Sequence, residues 1–204
     1  MNMTKTIIKN TVVLVSITLA AALILAVVYA VTKETIAAAE AKERMDSYYA
    51  VMDGAKEFKE LTDGSVAEWN GKDEKEAAEI LSAYRAYDEN GGMIGIVVSA
   101  LSHNGYGGDI VLSLGVGKDG VITAVKVTSM SETSGLGAEC QNEKFSGQFK
   151  GKSAIPLVYT KKGAENDNEI DALTGATITT KAVLEAVNGG FRFAAAQLGK
   201  EAAN

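Results

Sequence analysis

Residues 109–129 read DIVLSLGVGKDGVITAVKVTS. Two runs rich in Val, Ile and Leu, DIVLSLGV (109–116) and VITAVKVTS (121–129), flank the short segment GKDG (117–120). Gly and Asp suit the backbone of a tight turn, and branched side chains suit a half-buried pleated surface. The stretch therefore predicts an antiparallel hairpin. A second hairpin stands just upstream: AYRAY (83–87), the turn signal DENGG (88–92) and MIGIVVSAL (93–101). Two hairpins in succession predict an antiparallel sheet.

Outside this sheet the period of the apolar residues is helical. Residues 11–31 (TVVLVSITLAAALILAVVYAV) carry no charge, Pro or Gly. At ~1.5 Å per residue they are long enough to cross a ~30 Å hydrocarbon core. The run exceeds the h-region of a signal peptide, so it reads as an anchor that stays in place. Lys5 and Lys9 precede it, which predicts a cytoplasmic N-terminus and an extracytoplasmic bulk, although Lys33 follows the span directly. Residues 34–58 are rich in the helix formers Ala, Glu and Lys, with Ile36, Met45, Tyr48, Tyr49 and Met52 at helical spacing. They predict a stalk helix leading away from the bilayer and stopping near Gly54. Further helices are expected over 73–81, over 143–149 and, longest, over 180–198. In the last, Leu184, Val187, Phe191, Ala195 and Leu198 share a face. Gly189 and Gly190 weaken it by ~1 kcal/mol each relative to Ala. The sum is an α+β domain behind a single transmembrane helix. The expected division is a cytoplasmic N-terminus (1–10), the span (11–31), a helical stalk (32–82) and a sheet domain (83–204).

Composition narrows the chemistry. The chain has 204 residues, 47% of them apolar, and a formal net charge of −6, which argues against nucleic acid as a partner. One cysteine, Cys140, and one histidine, His103, exclude an internal disulfide, and this chain alone cannot supply the ligands of an iron–sulfur cluster or a typical zinc site. An organic cofactor is left open. Cys140 reads as a small buried residue, His103 as a loop hydrogen-bonder, and Trp69 with Tyr48 and Tyr49 as packing residues. The charged run 72–79 reads as a solvated helix face.

Three stretches carry clustered glycines or hydroxyls. They are HNGYGGDI (103–110), SETSGLGAE (131–139) and DALTGATITTKAV (171–183). Glycine lets backbone approach a ligand closely. The third stretch holds four threonines at the mouth of the long helix, more hydroxyls than capping needs. Asp171 and Thr174 are candidate caps. A helix N-terminus also favours an anion such as phosphate, so a threonine phosphoester there is as admissible as simple capping.

Asp171, Thr174, Gly175, Ala176 and Thr177 form D-x-x-T-G-A-T. This resembles the flavinylation motif of the FMN-binding domain family, to which the RnfG subunit of the ion-translocating Rnf electron transport complex and the related NqrC subunit of the sodium-pumping NADH:quinone reductase belong. In that family the last Thr of the motif takes FMN through its phosphate, in a bond made by a dedicated flavin transferase. The resemblance implies Thr177 as the acceptor. GYGGDI (105–110) is similar to the family's Gly-Tyr-x-Gly segment. ETSGLG (132–137) is similar to its Glu-Thr-Pro-Gly-Leu-Gly loop beside the flavin, with Ser134 where Pro is frequent. It implies flavin contacts from Glu132, Thr133, Gly135, Leu136 and Gly137. The anchor, the stalk and MDGAKEF (52–58) fall in the family's order, and the length and single anchor lie nearer RnfG than NqrC.

By this resemblance the chain would be an electron-carrying subunit of a membrane-bound ferredoxin:NAD oxidoreductase that moves Na⁺ or H⁺. It would carry covalent FMN, with membrane lipid, other Rnf-type subunits and the flavin transferase as partners. No catalytic or metal-ligating residue and no independent catalysis are expected. No G-x-G-x-x-G follows a strand, so no dinucleotide site is indicated. An NqrC-like subunit, a free-standing anchored flavoprotein and a non-redox adaptor whose TGATITT only caps a helix remain alternatives.

Overall fold

The computed structural model describes residues 3–71, 78–153 and 156–202. Two compact units divide the chain, residues 1–43 and 44–204. The described residues of the first lie within helix α1 (Met3–Val51). Among the described residues α1 is the one helix long and apolar enough to cross a membrane, and its side chains from Val12 to Val31 are exposed. The hydroxyls of Ser16 and Thr18 donate back to the carbonyls of Val12 and Val15, so these two polar groups are satisfied within the helix.

The second unit is built on a five-stranded antiparallel meander, β1 (Glu57–Glu60), β2 (Glu79–Tyr87), β3 (Met93–Ser102), β4 (Ile110–Gly117) and β5 (Ile122–Ser129), each strand pairing with the next. Both predicted hairpins are present, with Tyr87 opposite Met93 and Val116 opposite Ile122 in the ladders. The mixed α+β class expected from the sequence is therefore what the chain adopts. One sheet face packs on the C-terminal helix α4 (Thr177–Ala202), enclosing Ile96, Val98, Leu112, Leu114 and Val116 with Val183, Val187 and Phe193. The other face receives the end of α1, where Tyr48, Val51, Met52 and Ala55 cluster with Ala86 and Val97. Polar contacts fix that seat: Ser47 Oγ meets Ser113 Oγ at 2.8 Å and Tyr48 Oη meets Ser82 Oγ at 3.0 Å. The hydroxyl of Thr123 donates to the Val51 carbonyl.

Several expectations need correction. The stop expected near Gly54 is present, α1 ending at Val51 ahead of Gly54 at φ +82°, but the tail of the 34–58 stretch pairs as β1 with β2, Glu57 opposite Tyr87. Of the helix expected over 73–81, residues 73–77 lie outside the described residues. Glu79 to Leu81 belong to β2, where Ile80 is buried and Glu79 and Leu81 are exposed. The boundary of the folded unit thus falls at Arg44, so much of the expected 32–82 stalk is sheet domain. A helix α2 (Ser65–Asn70) and a parallel strand pair, β6 (Val158–Thr160) with β7 (Glu169–Asp171), add to the elements that the sequence predicts. The helix over 143–149 is one α-helical turn, α3 (Glu143–Ser146), followed by a 3-10 turn. On α4, Ala195 is exposed and Phe193 and Ala194 are buried instead.

Three carboxamides act as substitute strands. Asn70 bonds the backbone of Ile80 in both directions, at 2.8 and 2.9 Å. Asn188 does the same for Leu157 at 2.8 and 3.0 Å. Gln148 does it for Asp171 at 2.7 and 3.3 Å. Each supplies a donor and an acceptor where no neighbouring strand does. The last of them holds the approach to the mouth of α4.

Candidate functional site

From β7 the chain turns through residues 172–176 into α4. The N–H of Ala176 donates to the Leu173 carbonyl at 3.1 Å. Gly175 sits at φ +76°, a conformation that favours glycine, and a Cβ there would come within 3.1 Å of Leu136 Cδ2. The motif is thereby brought against the SGLG loop.

The four threonines divide by role. Thr180 Oγ1 accepts from the Leu173 N–H at 3.1 Å and donates to the Ala176 carbonyl at 2.9 Å. Thr179 Oγ1 donates to Glu132 Oε2 at 2.7 Å. These two hydroxyls tie the helix mouth from inside its first turn. Asp171 and Thr174, the expected caps, make no side-chain bond to α4 among the described residues, because the turn at 172–176 carries both away from the position before the helix. Among the described residues the hydroxyls of Thr174 and half-buried Thr177 have no hydrogen-bond partner. The N–H groups of Thr177, Ile178 and Thr179 have none either, so the positive end of α4 is open to an anion.

The three glycine-bearing stretches converge. Glu132 Oε1 accepts from the Gly107 N–H at 3.0 Å, while Oε2 takes the Thr179 hydroxyl. Gly137 is buried against that carboxylate, and a Cβ on it would lie 2.3 Å from Glu132 Oε2. The Thr133 carbonyl accepts from Leu136 and Ala138 at 3.2 and 3.1 Å and closes the loop that displays Gly135 and Leu136. The Thr133 side chain is exposed. Asn104 Nδ2 reaches Glu185 of α4 at 2.8 and 3.1 Å, and His103 Nδ1 meets Asp109 Oδ1 at 2.8 Å. The Asp109 carboxylate raises the His103 pKa above its usual range.

A cleft of about 390 Å³ opens where the SGLG loop, α3 and the approach to α4 meet. That is within the ~300–1,000 Å³ range of small-molecule sites. Gly135, Leu136, Phe145, Ala172 and Leu173 give it an apolar wall, and Glu139, Asn142, Lys144, Gln148, Asp171 and Thr174 its polar groups. It lies on the Asp171–Thr174 side of the helix mouth, and Thr177 does not line it. Asn142, Phe145 and Gln148 carry no sequence signal of this role, since a single helical turn has no periodicity to read.

Cys140, beside the loop, is buried and donates its S–H to Met130 Sδ at 3.6 Å. Burial, helped by the Glu132 charge, pushes its thiol up to about 11. At pH 8 only about one molecule in a thousand carries the reactive thiolate. The native chain is expected to resist iodoacetamide and to be alkylated only in denaturant. Rapid labelling of the folded chain would contradict the burial.

Residues 105–191 match the model of the FMN-binding domain, and residues 1–51 match that of the RnfG N-terminal region. The G subunit of a Na⁺-translocating ferredoxin:NAD⁺ oxidoreductase complex from Acetobacterium woodii is 40% identical over 54% of this chain and 53% of its own length. The proton-translocating counterpart from Clostridium ljungdahlii is 35% identical, covering 81% of this chain and 79% of the relative. The G subunit of an ion-translocating oxidoreductase complex from Methanosarcina acetivorans is 30% identical over 98% and 100%. Among solved structures, NqrC of Shewanella oneidensis aligns with a TM-score of 0.49 at 25% identity, over 58% of this chain and 61% of that one.

Proposed function

Since this chain belongs to the RnfG family, the G subunits of ion-translocating oxidoreductase complexes, we propose that it carries electrons within such a complex on an FMN joined through its phosphate to Thr177. The observation that carries this reading is the division of the threonines: two hydroxyls are spent on holding the helix mouth, and that of Thr177 is free in a first turn whose N–H groups are also free. The residues suit the group. A phosphoester on Thr177 Oγ1 would place its charge at the positive end of α4. Gly175 and Ala176 keep bulk away from that end, while Asp171 and Thr174 frame the approach to it. The apolar wall of the adjoining cleft, with Glu132, Thr133, Gly135, Leu136 and Gly137 forming the loop above it, suits a flat ring system. Bound there, FMN would supply one- and two-electron transfer.

The chain's own contribution is to hold and shield. Leu136, Phe145 and Leu173 exclude water from one side of the cleft, and the two-way clip of Gln148 on Asp171 keeps its floor from opening. A covalent tether keeps the group at high local concentration whatever its intrinsic affinity. This matters most outside the cell, where Lys5 and Lys9 ahead of the span would place the domain. The other membrane subunits of the complex are the partners, and a flavin transferase is required for maturation.

The test is the intact mass of the full chain expressed beside an active flavin transferase. The expected gain is FMN less one water. An unmodified chain, in cells where a known acceptor is loaded, would remove the covalent reading.

A further inference from the structure

Glu132 is placed unusually for a half-buried carboxylate. Among the described residues it has no cationic partner, and it is held by neutral donors on either side. Oε1 takes the N–H of Gly107, 25 residues upstream, and Oε2 takes the hydroxyl of Thr179, 47 residues downstream. Hydrogen bonds to an ionised acceptor are among the stronger ones, and removing a burial-compensating partner costs more than the bond itself.

The glycines of two loops are fitted around this group. A Cβ on Gly105 would stand 2.8 Å from Glu132 Oε1, and one on Gly137 would stand 2.3 Å from Oε2 and 2.6 Å from Thr179 Oγ1. A Cβ on Gly107 would strike the Ser131 carbonyl at 2.0 Å. Side chains at any of these positions would displace either the carboxylate or the backbone that carries it. Among the described residues, the Gly107–Glu132 bond is also the hydrogen bond that ties residues 105–108 to another segment.

We propose that Glu132 is a positioning residue of the flavin site, whose carboxylate locks the Gly105–Gly108 loop and the SGLG loop to the first turn of the acceptor helix. The proposal rests on the reading that Thr177 carries FMN. Glu132 acts through Thr179 and Gly107: it fixes Thr179 two residues beyond the acceptor, and it holds the loop on which Tyr106 stands exposed. The group on Thr177 then meets one rigid frame in place of three independent segments.

The experiment uses the full chain in detergent, loaded through a flavin transferase, in wild-type, Glu132→Ala, Glu132→Gln and Thr179→Val forms. Intact mass is read first, then flavin fluorescence anisotropy and midpoint potential. Exchange of the Gly107 amide is followed in the unloaded chain. Glu132→Gln can still accept from Gly107 and donate to Thr179 Oγ1, so wild-type anisotropy is expected. Glu132→Ala and Thr179→Val are expected to load, but with lowered anisotropy and a potential moved toward that of free FMN. In Glu132→Ala the Gly107 amide should exchange roughly ten- to hundredfold faster, the range for losing a bond to a charged group. Thr179→Val added to Glu132→Ala should change little further, since one bond is shared. A loaded Glu132→Ala with wild-type anisotropy and potential overturns the proposal. If that variant does not fold, the same result in Thr179→Val overturns it. An unmodified wild type, by contrast, removes the flavin reading and this proposal with it.

Discussion

Thr177→Ala is expected to lose the flavin entirely while folding as the wild type does. The hydroxyl has no hydrogen-bond partner among the described residues, so its removal breaks nothing in the helix mouth. Alanine is also the best helix former. Thr180→Ala is the opposite case. It deletes the bonds to the Leu173 N–H and the Ala176 carbonyl, at a cost of about 1–2 kcal/mol, yet leaves the acceptor in place. Thr174→Ala removes the other free hydroxyl, and any gain of FMN that persists in it lies on another residue, expected to be Thr177. Intact mass and a thermal melt on the three variants separate attachment from capping. If Thr177→Ala still gains FMN, the acceptor has been misassigned.

Gly115→Ala should be the most damaging small substitution in the sheet. An added Cβ would lie 2.1 Å from the Val51 carbonyl oxygen and 2.2 Å from Thr123 Oγ1, and those two atoms are themselves hydrogen-bonded partners. Neither is the loose end of a flexible side chain. Relief requires lifting the end of α1 off the sheet, which would strand Tyr48, Val51 and Met52 outside their cluster. Overpacking alone costs about 1–3 kcal/mol, and the exposed apolar area adds to it. A loss of about 3 kcal/mol corresponds to roughly 6–12 °C in Tm for a chain of this size. Gly120→Ala is the control. Its Cβ would meet nothing within 4 Å, although φ +75° makes it mildly unfavourable. Equal melts for the two variants would mean that the α1–sheet seat contributes little.

What is legible in the chain depends on the range of the forces involved. Hairpins announce themselves locally, through turn residues between branched runs, and both are readable. β1 is not: Glu57 to Glu60 reads EFKE, polar and compatible with helix, and it is a strand only because Tyr84 to Tyr87 stand opposite. The pair β6 and β7 has three residues in each strand and depends on a partner eleven positions away. In the sequence Gly189 and Gly190 read as defects of the long helix. In the fold, a Cβ on Gly189 would sit 2.8 Å from Ala78 Cβ, and one on Gly190 3.1 Å from Leu114 Cδ2, so they let α4 lie close on the sheet. At the site, the motif residues are visible as a string. The division of labour among its threonines is not, because it is set by Glu132 and Leu173 across the fold.

The plain meander order of the sheet also bears on how the molecule is assembled. Every strand from β1 to β5 pairs with its immediate successor, and from β2 onward the connections are short, so those ladders close with little loop entropy to overcome. The covering helix α4 is delivered after all of them. Without it the face bearing Ile96, Val98, Leu112 and Leu114 would be uncovered, and Thr177 would belong to an unwound segment. Before α4 winds, residues 171–177 would be accessible peptide; in the folded chain they form a helix mouth. A modifying enzyme that reads a linear motif would find it most accessible in the first state.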